Sequence, residues 1–224
     1  MRGLVPRWPW FALWLTVSLA RFGLLQFGTS GPASHAYDRI YTSTEPLLVL
    51  ALAAAVLECY RRRCADYRAL GRVGTWLLTA GMMLAGGMAV GVTLAAPIQG
   101  WQAALAIALS LRRGAFVVLS LFALLTLVFL HHYRVPAASN PSHHHLILTV
   151  YLNAHLVSSF ASGALGQKAG AVIGQIMLVA ATGSFVAWAV ALRRGGELAP
   201  ALPPMEEALR AERAAEAWLS KLGG

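Results

Sequence analysis

Five of the seven histidines in this chain stand close together. His131 and His132 lie on one side of residues 134–142, and His143, His144 and His145 on the other. Neutral imidazoles bind zinc, copper or iron well, so two antiparallel helices ending in these residues could assemble a metal site. The spacing speaks against it. There is no H-E-x-x-H, and the H-x-x-H-H pattern of membrane desaturases is missing too. We therefore read the five as histidines in water at a membrane face and expect no cofactor. His155 stands apart, near Asn153, Ser158 and Ser159. One buried histidine cannot supply both axial ligands of a haem, so a hydrogen bond to a neighbouring helix is the expectation there.

The second group of interest is charged. In "AYDRIYTSTEPLLVLALAAAVLECYRRR", residues 36–63, Glu45 stands at the head of an apolar run and Pro46 follows it. A helix starting at Pro46 and ending at Tyr60 would span only about 22 Å, short of a hydrocarbon core of about 30 Å. The helix is therefore expected to begin near Asp38 or Arg39, with Pro46 tolerated inside it. Tyr37, Tyr41 and Glu45 are then four apart and share a face. Arg21 lies at a similar depth in the preceding apolar run. Unpaired charges at that depth are costly, and pairing is the usual remedy, so an Arg21–Glu45 ion pair is the first expectation. A polar pocket opening outward, with Tyr37 and Tyr41 as its lip, is the second. Arg112 and Arg113 sit where a later helix enters lipid. Snorkelling to the headgroups explains both, and they are the next partners to consider for Glu45.

Other chemistry finds no support. There are no paired catalytic carboxylates, no P-loop, no G-x-S-x-G and no nucleotide fingerprint. The two cysteines, Cys59 and Cys64, flank Arg61–Arg63 on the side expected to be cytoplasmic, where disulfides are rare. Their C-x4-C spacing lacks the second pair of a zinc site.

The elements that position these residues follow from composition. The chain is 58% hydrophobic and 12% charged, with a mean hydropathy of +0.61. Soluble domains carry about 25% charged residues. The expected fold is all-α, a polytopic transmembrane helix bundle. Six stretches are long and apolar enough, at about 8–28, 39–60, 72–96, 110–132, 144–163 and 169–192. Their residues do not alternate as β-barrel strands would. The net charge of +9 comes from arginines between the apolar runs, so topology and anionic lipid explain it without nucleic acid. Arg2, Arg7, Arg61–Arg63, Arg68, Arg72, Arg134, Arg193 and Arg194 fall on one side of a six-crossing chain. Only Arg39, Arg112, Arg113 and Lys168 fall on the other. Both termini are then cytoplasmic.

Residues 1–195 make up the bundle in this reading, and 196–224 form a cytoplasmic tail. From Glu206 to Lys221 the tail has the charge order of a helix and an apolar stripe of Ala208, Ala211, Ala215, Trp218, Leu219 and Leu222. Helix 205–222 is expected to lie on the inner leaflet, dock on the cytoplasmic loops or bind a protein partner. Segment 101–109 reads as an amphipathic lead-in on the outer face. The start "MRGLVPRWPWFALWLTVSLA" could be a cleaved leader ending at Ala20, but the apolar run resumes as "FGLLQFG" and favours a retained helix. Gly87 with Gly91, and Gly166, Gly170 and Gly174, have G-x-x-x-G spacing, read as packing within the chain.

One set of features comes in a familiar order. Tyr37, Tyr41 and Glu45 open a helix that has Glu58 near its end. Tyr67 and Leu70-Gly71 precede the next, Arg112-Arg113 begin the fourth, and His132-Tyr133 close it. Across residues 8–195 this resembles a group of uncharacterised multi-pass bacterial membrane proteins of six or seven helices. The chain departs from that pattern in lacking a first helix, in histidine rather than arginine before Tyr133, and in its tail. The resemblance implies a bacterial inner-membrane bundle and carries no activity with it. The functional expectation is a non-enzymatic sensor or accessory subunit. A small-solute transporter or channel using Arg21 and Glu45 is the alternative, followed by a metalloprotein using the cytoplasmic histidines.

Overall fold

The computed structural model describes residues 7–29, 34–65, 67–95, 100–132 and 138–192, with the side chains at 68, 69, 92, 162–171 and 174 outside that description. The tail helix 205–222, the start of the chain, Tyr133, Arg134, Arg193, Arg194 and the packing around Gly166, Gly170 and Gly174 all lie outside the described residues. Those residues form five α-helices and no strand: α1 Pro9–Phe27, α2 His35–Arg63, α3 Arg68–Ala95, α4 Trp101–His132 and α5 Ser139–Ala191. The first four are long and apolar enough to cross a membrane.

Local sequence explains where these helices begin. Proline opens α1, where its fixed φ and missing N–H do no harm. α2 starts at His35, ahead of the expected Asp38 or Arg39. The Ser34 hydroxyl accepts the Tyr37 amide at 3.2 Å and Asp38 lies in the first turn, both favourable at a helix N-terminus. Pro46 is carried inside α2. Gly100 precedes α4 with φ +64°, a conformation that glycine adopts without strain.

α5 spans 53 residues, which would make it about 80 Å long if straight. It is not straight. The Trp188 ring lies 5.7 Å from His144, and the Phe185 ring 6.3 Å from Tyr151. Residues so far apart on a straight helix would be separated by some 60 Å, at about 1.5 Å per residue. The chain therefore reverses within α5, between Tyr151 and Phe185, and its two limbs lie side by side.

Cross-helix contacts give the directions. Glu58 meets Trp10 while Glu45 meets Arg21, so α1 and α2 are antiparallel. Gly114 faces Ala85 and Gly81 faces Val118, so α3 and α4 are antiparallel. Tyr60 meets Phe122 and Arg112 meets Glu45, so α4 runs with α2. α2 is central and packs on all four other helices. The core gathers Trp8, Trp14, Leu52, Ala55, Leu119 and Leu148, among others. The outside is just as apolar: Leu19, Phe22, Trp76, Met83, Leu94 and Leu125 are exposed, far more than a water-facing surface tolerates in a continuous band.

Glycines permit close approach at positions other than those the G-x-x-x-G spacing suggests. A Cβ at Gly87 or Gly91 would meet nothing within 4 Å, so among the described residues this pair makes no close packing contact. The true contacts are Gly114, where a Cβ would lie 3.1 Å from that of Ala85, and Gly74, where it would overlap the Tyr60 ring. That ring is fixed, because its hydroxyl donates to the Leu70 carbonyl at 2.7 Å. Gly74→Val should therefore lower stability by about 1–3 kcal/mol, while Gly87→Val should stay within about 0.5 kcal/mol of wild type. Unfolding in detergent checks both. Equal losses would place the packing face of α3 elsewhere.

Candidate functional site

Three helices converge on Glu45. Its side chain is wholly buried, with 0% exposure. From α1, the Arg21 guanidinium reaches to 2.6 Å of Oε2, and from α4, Arg112 Nε lies 3.7 Å from Oε1. Neither carboxylate oxygen accepts a hydrogen bond of good angle. The 2.6 Å contact is thus an ion pair held by proximity and charge rather than by aligned donors.

Tyr41, one turn before Glu45, ties the two arginines together. Its hydroxyl accepts from Arg112 Nη1 at 2.9 Å, and the Arg21 guanidinium lies over its ring, 4.4 Å from the centroid. The quadrupole of the ring attracts such a cation. Tyr37 stacks on Tyr41 at 6.3 Å. Beyond Arg112, Phe116 lies under the guanidinium and stacks on His155, which also touches Tyr151. Among the described residues neither arginine has a second acidic partner. The cluster therefore holds two guanidiniums for one carboxylate. Arg21 is 7% exposed and Arg112 29%, so the excess positive charge has one route outward, through Arg112.

Of the residues singled out from the sequence, Arg21, Tyr37, Tyr41, Glu45 and Arg112 come together. Arg113 does not: it is exposed, and among the described residues no contact with the cluster is seen. Arg112 adds to the snorkelling expectation: it is partly exposed, and it also donates to Tyr41 and lies against Glu45. Successive residues on a helix turn by about 100°, so Arg112 and Arg113 face different ways, and Arg112 is the one that meets Tyr41 and Glu45. His155 corrects an expectation. Among the described residues its Nε2 is buried without a hydrogen-bond partner, and its ring contacts are Phe116 and Tyr151.

The five clustered histidines also separate. His131, His132 and His143 are exposed, and His143 bonds to Ser139 in its own helix. His144 and His145 are buried, at 0% and 3%, which overturns their placement in water. His144 sits in an aromatic box of Trp8, Phe11 and Trp188, with no hydrogen bond to either nitrogen. His145 faces another way. Its Nε2 lies 3.0 Å from the Ala123 carbonyl, and its Nδ1 lies 3.4 Å from Arg63 Nη1. A carbonyl can only accept, so Nε2 carries the proton and Nδ1 accepts from the arginine. These imidazoles satisfy packing and backbone rather than one another. Among the described residues no group of three or more His, Cys, Asp or Glu is placed to hold a metal ion. Cys59 and Cys64 are free and buried, and burial pushes the Cys64 thiol above its ordinary range.

Sequence reasoning passed over Glu58, which caps a helix that is not its own. Its Oε2 accepts the Trp10 and Phe11 amides at 3.1 Å each. Arg62 lies 3.7 Å from the other oxygen and covers the Trp8 ring at 4.6 Å. A signal was present. α1 opens on Trp8 and Pro9 with no side-chain cap, so its free amides needed an acceptor from elsewhere.

No protein-family model, curated protein or solved structure matches the chain.

Proposed function

We propose that this protein is an integral protein of a bacterial inner membrane that crosses the bilayer six times, with both termini in the cytoplasm. It works there as a non-enzymatic sensor or accessory subunit. The observation that carries this reading is Glu45, buried between Arg21 and Arg112 inside a bundle whose outer surface is apolar. A carboxylate so enclosed cannot meet a substrate as acid, base or nucleophile. Its place between cations from two other helices suits a centre that holds or reports helix positions. A transporter built on the same charges would call for helices broken near the membrane midplane, whereas α2 is continuous through Pro46.

Six crossings are supported by the four long apolar helices and by the two limbs of α5, the second of which is apolar over Gln175–Ala191. Orientation rests on the arginine bias, with Arg61–Arg63 at the end of α2. Reporter fusions after Arg63, Arg134 and Arg194 should therefore read cytoplasm, and one after Gly100 should read the outside. An external signal at Arg63 would invert the topology. Matching signals at Arg134 and Arg194 with an external one inside 164–168 are required if α5 crosses twice. A cytoplasmic signal there would reduce the count.

A further inference from the structure

We infer that the Arg21–Glu45–Arg112 cluster is a binding site for the phosphate of an anionic phospholipid in the outer leaflet. The inference rests on the membrane orientation proposed above and names the ligand class of the same cluster. Charge is the first support: two guanidiniums share one carboxylate, leaving an excess cation where the dielectric is low. The second is access. Only Arg112 of the charged groups is substantially exposed, 29% against 7% for Arg21 and 0% for Glu45.

Depth is the third. Helices rise about 1.5 Å per residue. Counted from Arg61 at the basic end of α2, Glu45 is about 24 Å along the helix. Counted from His131 at the same end of α4, Arg112 is about 28 Å along. A hydrocarbon core of about 30 Å puts the Arg112 backbone just inside its outer boundary, within side-chain reach of the headgroup phosphates, and Glu45 roughly a turn below.

The arrangement also suits the ligand. Tyr41 and Glu45 engage Nη1 and Nε of Arg112. With those two nitrogens held, the guanidinium keeps one orientation, and Nη2 is left for a phosphate oxygen. Arg21 from α1 and Arg112 from α4 reach the two oxygens of Glu45 on α2. Leu19 and Phe22, beside Arg21 in the chain, are exposed apolar groups of the kind acyl chains cover.

The test uses the full-length protein in dodecyl maltoside, a detergent without charge or phosphate. Addition of phosphatidylglycerol should raise the melting temperature by about 5 °C at saturation. Dioleoylglycerol, with the same chains and no phosphate, should not. Arg112→Gln should lose most of the shift, and Arg39→Gln, an exposed arginine at the same end of the bundle, should keep it. If Arg112→Gln does not fold, native mass spectrometry of the wild type decides: a one-to-one phosphatidylglycerol adduct that survives where dioleoylglycerol is lost supports the site. Equal shifts for the two lipids, or a full shift in Arg112→Gln, would overturn the inference. So would an equal rise with inorganic phosphate at constant ionic strength, which would assign the cluster to a soluble anion. None of these results touches the topology, which the reporter fusions test separately.

Discussion

Glu45→Gln should lower the unfolding free energy of the detergent-purified protein by about 3–5 kcal/mol, the range for removing one partner of a buried ion pair. The magnitude follows from what is left behind. Glutamine keeps the shape but not the charge, and two guanidiniums, one of them only 7% exposed, would face each other without their shared anion. Arg21→Gln should cost less, because Arg112 still stands 3.7 Å from the carboxylate. The double variant Arg21→Gln/Glu45→Gln removes both charges and should recover part of the summed loss, since neutral polar groups are cheaper to bury. The coupling in that cycle should be about 1–3 kcal/mol and larger than the coupling of Glu45 with Arg112, which sits farther away and partly in solvent. Strict additivity for Arg21 and Glu45 would mean that the contact carries no energy, and the cluster would lose its standing as the centre of the bundle.

Glu58→Ala is the second large effect, and it acts at the opposite end of the bundle. The Trp10 and Phe11 amides would lose a charged acceptor in a region where little else can replace it. Hydrogen bonds to charged groups contribute about 1.5–3 kcal/mol each, so a loss of about 3 kcal/mol is expected after partial relaxation. Glu58→Gln should fall between, keeping an acceptor and losing the charge. Arg62→Ala should cost under about 1 kcal/mol, because its pairing with Glu58 is an i,i+4 contact at 3.7 Å by a side chain 35% exposed. Hydrogen exchange gives the local readout: the Trp10 and Phe11 amides should exchange much faster in Glu58→Ala, with little change at the centre of α2. Unchanged protection at Trp10 would show that α1 is capped by something other than Glu58.

Much of the cluster was legible from spacing. Tyr37, Tyr41 and Glu45 at intervals of four must share a face of α2, and charges within an apolar run need partners; Arg21 was the nearest basic residue at matching depth. The same reasoning could not choose between Arg112 and Arg113. Adjacent residues on a helix point about 100° apart, and which one turns inward depends on how α4 is rotated against α2. The histidines illustrate the opposite case. Their sequence neighbourhood looks like a water-facing loop, yet His144 and His145 are buried because the first limb of α5 packs on α2 and α4 at that level, where Trp8, Trp188 and the Ala123 carbonyl receive them. Glycine spacing misled in a similar way: Gly87 and Gly91 have the interval of a packing motif, but α3 turns Gly74 and Gly81 toward its neighbours instead.

Composition and periodicity by themselves determined that this chain is helical and apolar, roughly where its apolar segments run, and that Arg21 and Glu45 lie at comparable depth. These properties are local, since helix propensity, capping and hydropathy act over a few turns of one segment. Only the tertiary structure decided how the two limbs of α5 pack, that Arg112 rather than Arg113 joins Glu45, and that Glu58 caps a helix from another part of the chain. Those outcomes depend on the rotation and crossing of whole helices, which are set by the summed contacts of many side chains at once. No single stretch of the sequence contains that information.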